Sequence, residues 1–202
     1  MIARHSEDLV MARDGPSGWL DTYPTHLPRT WTPDAGPSML IRPVRHDDGE
    51  LELTFVCALS RESAYQRMLS GGFKVTPEWI DAMTHIDYHA HMAFAATVGS
   101  NGAEQFVGVS RYVVDATDRS ADIALVVADA WQGKGLGRRL LAMLLEHAAA
   151  SRIAEVVGNV LSTNIAMLGL ARSMGFSVRP EPGDATLRRI GRRLIRAEIQ
   201  QH

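Results

Sequence analysis

A single cysteine in 202 residues, Cys57, leaves no partner for an internal disulfide and cannot build a cysteine-ligated zinc site. Charge of one dominant sign is lacking too. Lys and Arg number 21 against 23 Asp and Glu, a formal net charge of -2, which excludes a surface built to hold nucleic acid over its whole extent. Long apolar runs are missing: the strongest, over residues 140–150, is interrupted by Glu146 and His147 and is far too short to cross a bilayer. No basic stretch leads into an apolar run at the start of the chain, so no secretory signal is read and a soluble cytoplasmic protein is expected. No internal repeat or low-complexity tract is visible. What is present is ordinary for a globular domain, 46% apolar and 22% charged residues in a chain long enough for a sizeable core.

Five of the nine prolines fall within the first 37 residues (Pro16, Pro24, Pro28, Pro33 and Pro37). No helical or strand period is visible there, so residues 1–38 are expected to form an irregular arm, packed through Trp19, Tyr23 and Trp31. A folded domain is expected over 39–199. Residues 39–45 alternate as a short strand, with Pro43 placing it at an edge. Asp47 and Glu50 have the spacing of a capping box for a helix whose face carries Leu51, Phe55 and Leu59, with Cys57 beside it in the core. A second helical piece reaches about Leu69 and ends at Gly71-Gly72. Thr76-Pro77 starts a third, over 78–85. Strands are expected at 92–98, 105–115 and 121–128, the first two joined by the turn Ser100-Asn101-Gly102. A helix follows with Leu136, Leu140, Leu144 and Ala148 on one face. A strand over 153–161, a helix over 164–174 ended by Gly175, and a closing hairpin over 176–179 and 187–195 complete the order. The fold class is α/β (α+β): a mixed, mostly antiparallel central sheet of about six to seven strands flanked by helices.

Gln132-Gly133-Lys134-Gly135-Leu136-Gly137 lies between a strand and a helix. Glycine lets a backbone approach a ligand closely, and the first N–H groups of a helix have no partner inside it. With the helix dipole, that arrangement favours a phosphate or pyrophosphate. A Walker loop is excluded, since Leu136 stands where Gly-Lys-Ser/Thr would be needed. A Rossmann fingerprint fits poorly, because the glycines alternate and no early βαβ unit precedes them.

The run Gln132 to Gly137 resembles the acyl-coenzyme A signature Gln/Arg-x-x-Gly-x-Gly/Ala of the GNAT superfamily of N-acetyltransferases. Asn164-x-x-Met167, followed by Gly175-Phe176, resembles a second segment of that family at matching spacing. The resemblance covers about residues 39–199 and implies the acyl-CoA N-acyltransferase fold. It narrows further. Ile41-Arg42-Pro43 with Asp47-Asp48, Leu59-Ser60-Arg61-Glu62-Ser63-Ala64-Tyr65, and His85-Ile86-Asp87-Tyr88 followed by Met92-Ala93-Phe94-Ala95-Ala96 look like the bacterial protein lysine acetyltransferases of the Pat type. A stand-alone catalytic domain is expected, without the larger regulatory domains often fused in that group.

The resemblance implies acetyl-CoA as co-substrate, no metal, and an amine acceptor, most simply a protein lysine. A small-molecule amine, or an acyl-CoA sensor without turnover, are its alternatives. Backbone N–H groups near Val126 and Val127 would hold the acyl carbonyl and the pantetheine arm. Gln132, Gly133, Lys134, Gly135, Leu136 and Gly137 would hold the pyrophosphate, with charge from Lys134, Arg138 and Arg139, and Asn164 would touch the pantetheine. A lysine amine has a pKa of about 10.4, so a fraction on the order of 10⁻³ or less is neutral at pH 7 and transfer needs a base. The Pat-type base is a glutamate on the strand before the glycine turn. Asp122 stands there, one methylene shorter, and would act through a water or with its acidity altered by burial near Ile123 and Leu125. His85 and Asp87 are reserves. The tyrosine acid that many members carry seven residues after the asparagine is absent, since that position is Ala171. Thiolate is a tolerable leaving group without it. With Cys57 in the core, direct transfer in a ternary complex is expected. His85, Asp87, His89 and His91 do not keep one metal-binding period. The cluster Arg188, Arg189, Arg192, Arg193 and Arg196 reads as a solvated face.

Overall fold

The computed structural model describes residues 23–34, 36–69, 74–99, 103–115 and 120–194. Eight strands form one sheet: β1 (Arg29–Trp31), β2 (Met39–Pro43), β3 (His91–Val98), β4 (Gln105–Val114), β5 (Ser120–Val127), β6 (Glu155–Leu161), β7 (Ser177–Glu181) and β8 (Asp184–Arg193). Their spatial order is β1-β2-β3-β4-β5-β6-β8-β7. Every pair is antiparallel except β5 with β6. Five helices accompany them: α1 (Gly49–Cys57), α2 (Arg61–Met68), α3 (Pro77–Thr84), α4 (Leu136–Ala150) and α5 (Ile165–Ser173). The architecture is the mixed α/β sheet the sequence implies, with one strand more than the upper count.

The central strands are covered on both faces. Six consecutive residues of β3, Met92 to Thr97, are buried, as a strand under two helical layers must be. Neighbouring residues of β4 point to opposite layers. Ser110 donates to the carbonyl of Leu140 in α4, while Arg111 donates to Glu52 in α1. Helix α4 buries Leu136, Leu140, Leu141, Leu144 and Ala148 and lies so close that a Cβ on Gly108 would stand 2.9 Å from Leu140 Cδ1. Thr76 caps α3 by accepting from the Trp79 N–H, with Pro77 at its first position, and Gly175 ends α5 at φ +81°.

Four expectations need correction. The proline-rich arm is not irregular throughout: Arg29–Trp31 pair with Met39–Ile41, and Tyr23, Leu27 and Trp31 pack on the core. Trp19 lies outside the described residues. Strand β2 is not an edge strand, since β1 flanks it. That pairing stops at Ile41, so Pro43 faces no strand on the β1 side and its missing N–H costs no ladder bond there. Asp47 forms no capping box; Asp48 is the N-cap of α1 and its side chain caps nothing. A stronger claim is made on it by the fully buried Arg42, whose two terminal nitrogens donate to Asp48 at 2.7 and 2.8 Å, while the Arg45 N–H donates at 2.7 Å. Cys57 is exposed at the end of α1, the turn on which Phe55 and Val56 take the buried positions. The turn at Ser100-Asn101-Gly102, Gly71-Gly72 and Arg196 fall outside the described residues.

Candidate functional site

Strands β5 and β6 pair only at Ser120, Ala121 and Asp122, and beyond Asp122 they diverge. Parallel strands that part in this way leave two unpaired edges facing one another, and buried edges require hydrogen-bond partners. Ala128 donates to Val107, and Asp115 donates to Ser120. By strand alternation, the N–H and C=O groups of residues 120, 122, 124, 126 and 128 therefore turn toward β4, and those of Ile123, Leu125 and Val127 turn into the gap. The Val127 carbonyl is met there by the Gln132 side chain, which donates at 3.0 Å.

A cavity of about 380 Å³ fills the gap, bounded by β5, β6, the glycine turn, α5 and the last turn of α2. A larger groove of about 1320 Å³ runs along α4 and strands β6, β7 and β8, but none of the sequence-predicted site residues lines it.

The glycine turn closes one end of the smaller cavity. Gly133 and Gly135 have φ of +71° and +85°, the left-handed region that favours glycine. Gly135 is the N-cap of α4, and the first helix-type bond runs from Arg139 N–H to the Gly135 carbonyl. The N–H groups of residues 133–138 thus have no backbone acceptor among the described residues. The first turn of α4 holds no acidic residue. Six free donors at the positive end of a helix of 15 residues fit a pyrophosphate. On the opposite wall, Asn159 lines the cavity with its side-chain oxygen buried and without a partner among the described residues. That acceptor and the inward N–H and C=O groups of β5 suit an amide-bearing arm such as pantetheine.

The predicted residues divide by role. Val126, Val127, Gln132, Gly133, Gly135, Gly137, Arg138 and Asn164 line the cavity. Val126 presents its side chain, since its backbone faces β4. Asn164 is at once a wall residue and the N-cap of α5, accepting from the Met167 N–H at 3.0 Å. Arg138 is held by Ser173 at 2.7 Å, so its position depends on α5. Lys134 is outside the wall, with Nζ 5.3 Å from the Trp131 ring centroid. The side chain of Leu136 is a core group, 1% exposed, and offers only its N–H. Gln132 donates its side-chain amide to Val127 and to Ser63, so it braces the turn. The bracing extends to Asp129, which accepts from the Ser60 N–H, the Ser60 hydroxyl and the Ser63 hydroxyl at 3.0, 2.7 and 2.8 Å. Hydrogen bonds from Ser60, with Ser63 adding to them, hold the Asp129 carboxyl below its ordinary range. Ala171 is wholly buried and supplies no acid. Cys57 does not line the cavity.

Asp122 is half-buried at the last paired position of β5. Its side chain alternates with Ile123 and so lies on the face of Arg111, beneath α1 and α2. It is not among the cavity-lining residues, whereas Ile123 and Ala124 are.

The far end of the cavity was not legible in the sequence. Ser63, Gln66, Arg67, Met68 and Leu69 from α2 and its C-terminus, with Trp79 from α3, form that wall. Behind Arg67 lies a buried ion pair, Arg111 Nη2 to Glu52 Oε1 at 3.1 Å, with the second Glu52 oxygen unpartnered among the described residues. Burial raises the Glu52 carboxyl above its ordinary value against the pull of Arg111. Burial, and then Arg111, push the His91 imidazole well below its ordinary value, so His91 is neutral and accepts from Arg111 at 3.4 Å. Burial brings the Arg67 guanidinium down to about 10, with Arg111 repelling it and Glu52 and Asp122 opposing. Among the described residues, no group of three His, Cys, Asp or Glu side chains is placed to hold a metal, and no helix is long and apolar enough to cross a membrane.

Known proteins share this architecture. An acetyltransferase of Pseudomonas aeruginosa is 33% identical over 76% of this chain and 82% of its own length. The acetyltransferase Pat of Mycolicibacterium smegmatis is 28% identical over 67% of this chain, which spans 40% of that longer protein. The GNAT domain of Streptomyces lividans PAT superimposes with a TM-score of 0.77 at 25% identity, covering 86% of this chain and all of that domain. The acetyltransferase (GNAT) family model matches residues 59–176, more than half of the 202, and those bounds take in α2, the splayed strands, the glycine turn and α5. This chain belongs to the GNAT family of acetyltransferases.

Proposed function

We propose that the protein transfers an acetyl group from acetyl-CoA to a primary amine, a protein lysine side chain, by direct attack in a ternary complex. The observation that carries this reading is the run of free N–H donors from Gly133 to Arg138 at the mouth of a splayed strand pair. The pyrophosphate rests on those donors, and the pantetheine arm runs along Leu125 and Val127 toward the α2 end of the cavity. There the acceptor ammonium gives a proton, through water, to Asp122. The amine nitrogen attacks the thioester carbonyl, negative charge gathers on its oxygen, and an inward N–H of β5 stabilises that oxyanion. The tetrahedral adduct collapses, the C–S bond breaks and coenzyme A leaves as thiolate, since the methyl of Ala171 cannot protonate it; the second proton lost by the attacking nitrogen passes to water. Lysine as acceptor follows from the likeness to the Pat type. Direct transfer is supported by the place of Cys57, which is exposed but away from the cavity.

Ligand that binds only the folded protein stabilises it by mass action. Acetyl-CoA at 100 times its Kd adds about 2.7 kcal/mol, a rise of about 5–10 °C in Tm for a chain of this size. No shift at millimolar acetyl-CoA removes the co-substrate from the account. Mass spectrometry of a protein lysate incubated with enzyme and acetyl-CoA then tests the acceptor: new acetyl-lysine is the expected product, and acetylated small amines with unmodified protein overturn the lysine assignment.

A further inference from the structure

Arg67 stands in an unusual place for a GNAT reaction that must receive a cationic amine. It lies in the last turn of α2 and lines the acceptor end of the cavity. Its guanidinium has five N–H donors in a planar fork. Among the described residues it takes part in no hydrogen bond and no ion pair within 4 Å. The obvious carboxylate, Glu52, is committed to the buried guanidinium of Arg111. Asp122 attracts Arg67 from the sheet side. Such a fork, half-buried and lining a cavity, lacks the partner that its geometry matches best, a carboxylate or phosphate. A lone cation here would repel an incoming ammonium. The same cation becomes favourable if the acceptor brings its own negative charge. Arg67 on the cavity wall and Asp122 behind it on the strand then supply one positive and one negative group, complementary to an acceptor bearing a carboxylate and an ammonium.

We infer that Arg67 is a specificity-determining residue that binds a carboxylate carried by the acceptor close to its reacting amine. The inference rests on the acetyl-transfer reading above and adds the substrate class. On a protein, the carboxylate is an Asp or Glu side chain next to the lysine. On a small molecule, it is the carboxylate of an amino acid.

The test uses the full chain and acetyl-CoA with two matched sets of acceptors. One set is lysine peptides flanked by Glu or by Gln, and the other is free amino acids or their amides. In the wild type the carboxylate member of a pair exceeds its amide in kcat/KM by on the order of tenfold or more, the size of a charge-assisted hydrogen bond. The pair that shows the gap identifies the source, peptide or free amino acid. Arg67→Gln closes the gap to about twofold while the KM for acetyl-CoA and the Tm rise with acetyl-CoA stay at wild-type values. Arg67→Lys, which keeps the charge but loses the fork, retains part of the gap. Equal rates for carboxylate and amide acceptors, an Arg67→Gln variant that still discriminates, or no acetylation of any carboxylate acceptor overturns the inference. Failure of acetyl-CoA to shift the wild-type Tm is a different result and strikes the proposed function itself.

Discussion

A Gly135→Val variant binds acetyl-CoA at least about a hundredfold more weakly than the wild type, because two effects act at one residue. Gly135 is the N-cap of α4 at φ +85°. A β-branched residue there carries a backbone penalty of about 1–2 kcal/mol or distorts the turn away from that conformation. The side chain would also project where the phosphate must approach the free N–H groups. The protein itself leaves room: a Cβ at this position meets nothing nearer than Trp31 at 3.7 Å. The folded core therefore survives while the ligand surface is lost. Isothermal titration with acetyl-CoA measures the loss, and Gly169→Ala, in the middle of α5 with open space around its Cβ, serves as the control. Wild-type affinity in Gly135→Val contradicts a phosphate seat at this turn.

Asp122→Asn lowers kcat by about 10²–10⁴, the usual contribution of a general base, and leaves the KM for acetyl-CoA near the wild-type value. The substitution preserves shape and removes the charge that accepts the proton. Asp122 is suited to this role by position, at the vertex where β5 and β6 part. Its route is indirect, since the side chain lies on the α1–α2 face beside the cavity wall. Steady-state rates across acetyl-CoA concentrations separate the outcomes. An unchanged kcat removes Asp122 as the base, and a raised KM alone assigns it to coenzyme binding.

Local signals carried well from sequence to structure where a local cause sufficed. Thr76-Pro77, Asn164 and Gly175 mark helix ends because cap chemistry is decided within a few residues. The alternating glycines announced the turn before α4 for the same reason. Long-range choices were hidden. Asp47 and Glu50 have capping-box spacing, yet the decisive partner at that helix start is Arg42, which draws in Asp48 from a neighbouring strand. Strand β1 has only three residues in a proline-rich stretch and exists because the edge of β2 accepts it. Cys57 sits next to an apolar face but one position off it. Arg67, Glu52 and Arg111 come from two helices and a strand, and no spacing in the chain links them. Asn159 is equally silent, an ordinary strand residue in the sequence whose side-chain oxygen is buried without a partner among the described residues.

The most direct measurement is a crystal structure of the protein with coenzyme A. The account predicts pyrophosphate oxygens at about 3 Å from N–H groups in the run Gly133 to Arg138, the pantetheine arm between β5 and β6 with Asn159 accepting one of its amides, and the sulfur directed to the α2 end near Arg67. Coenzyme A seated in the groove along α4, β7 and β8, or a pyrophosphate making no contact with the glycine turn, would contradict it.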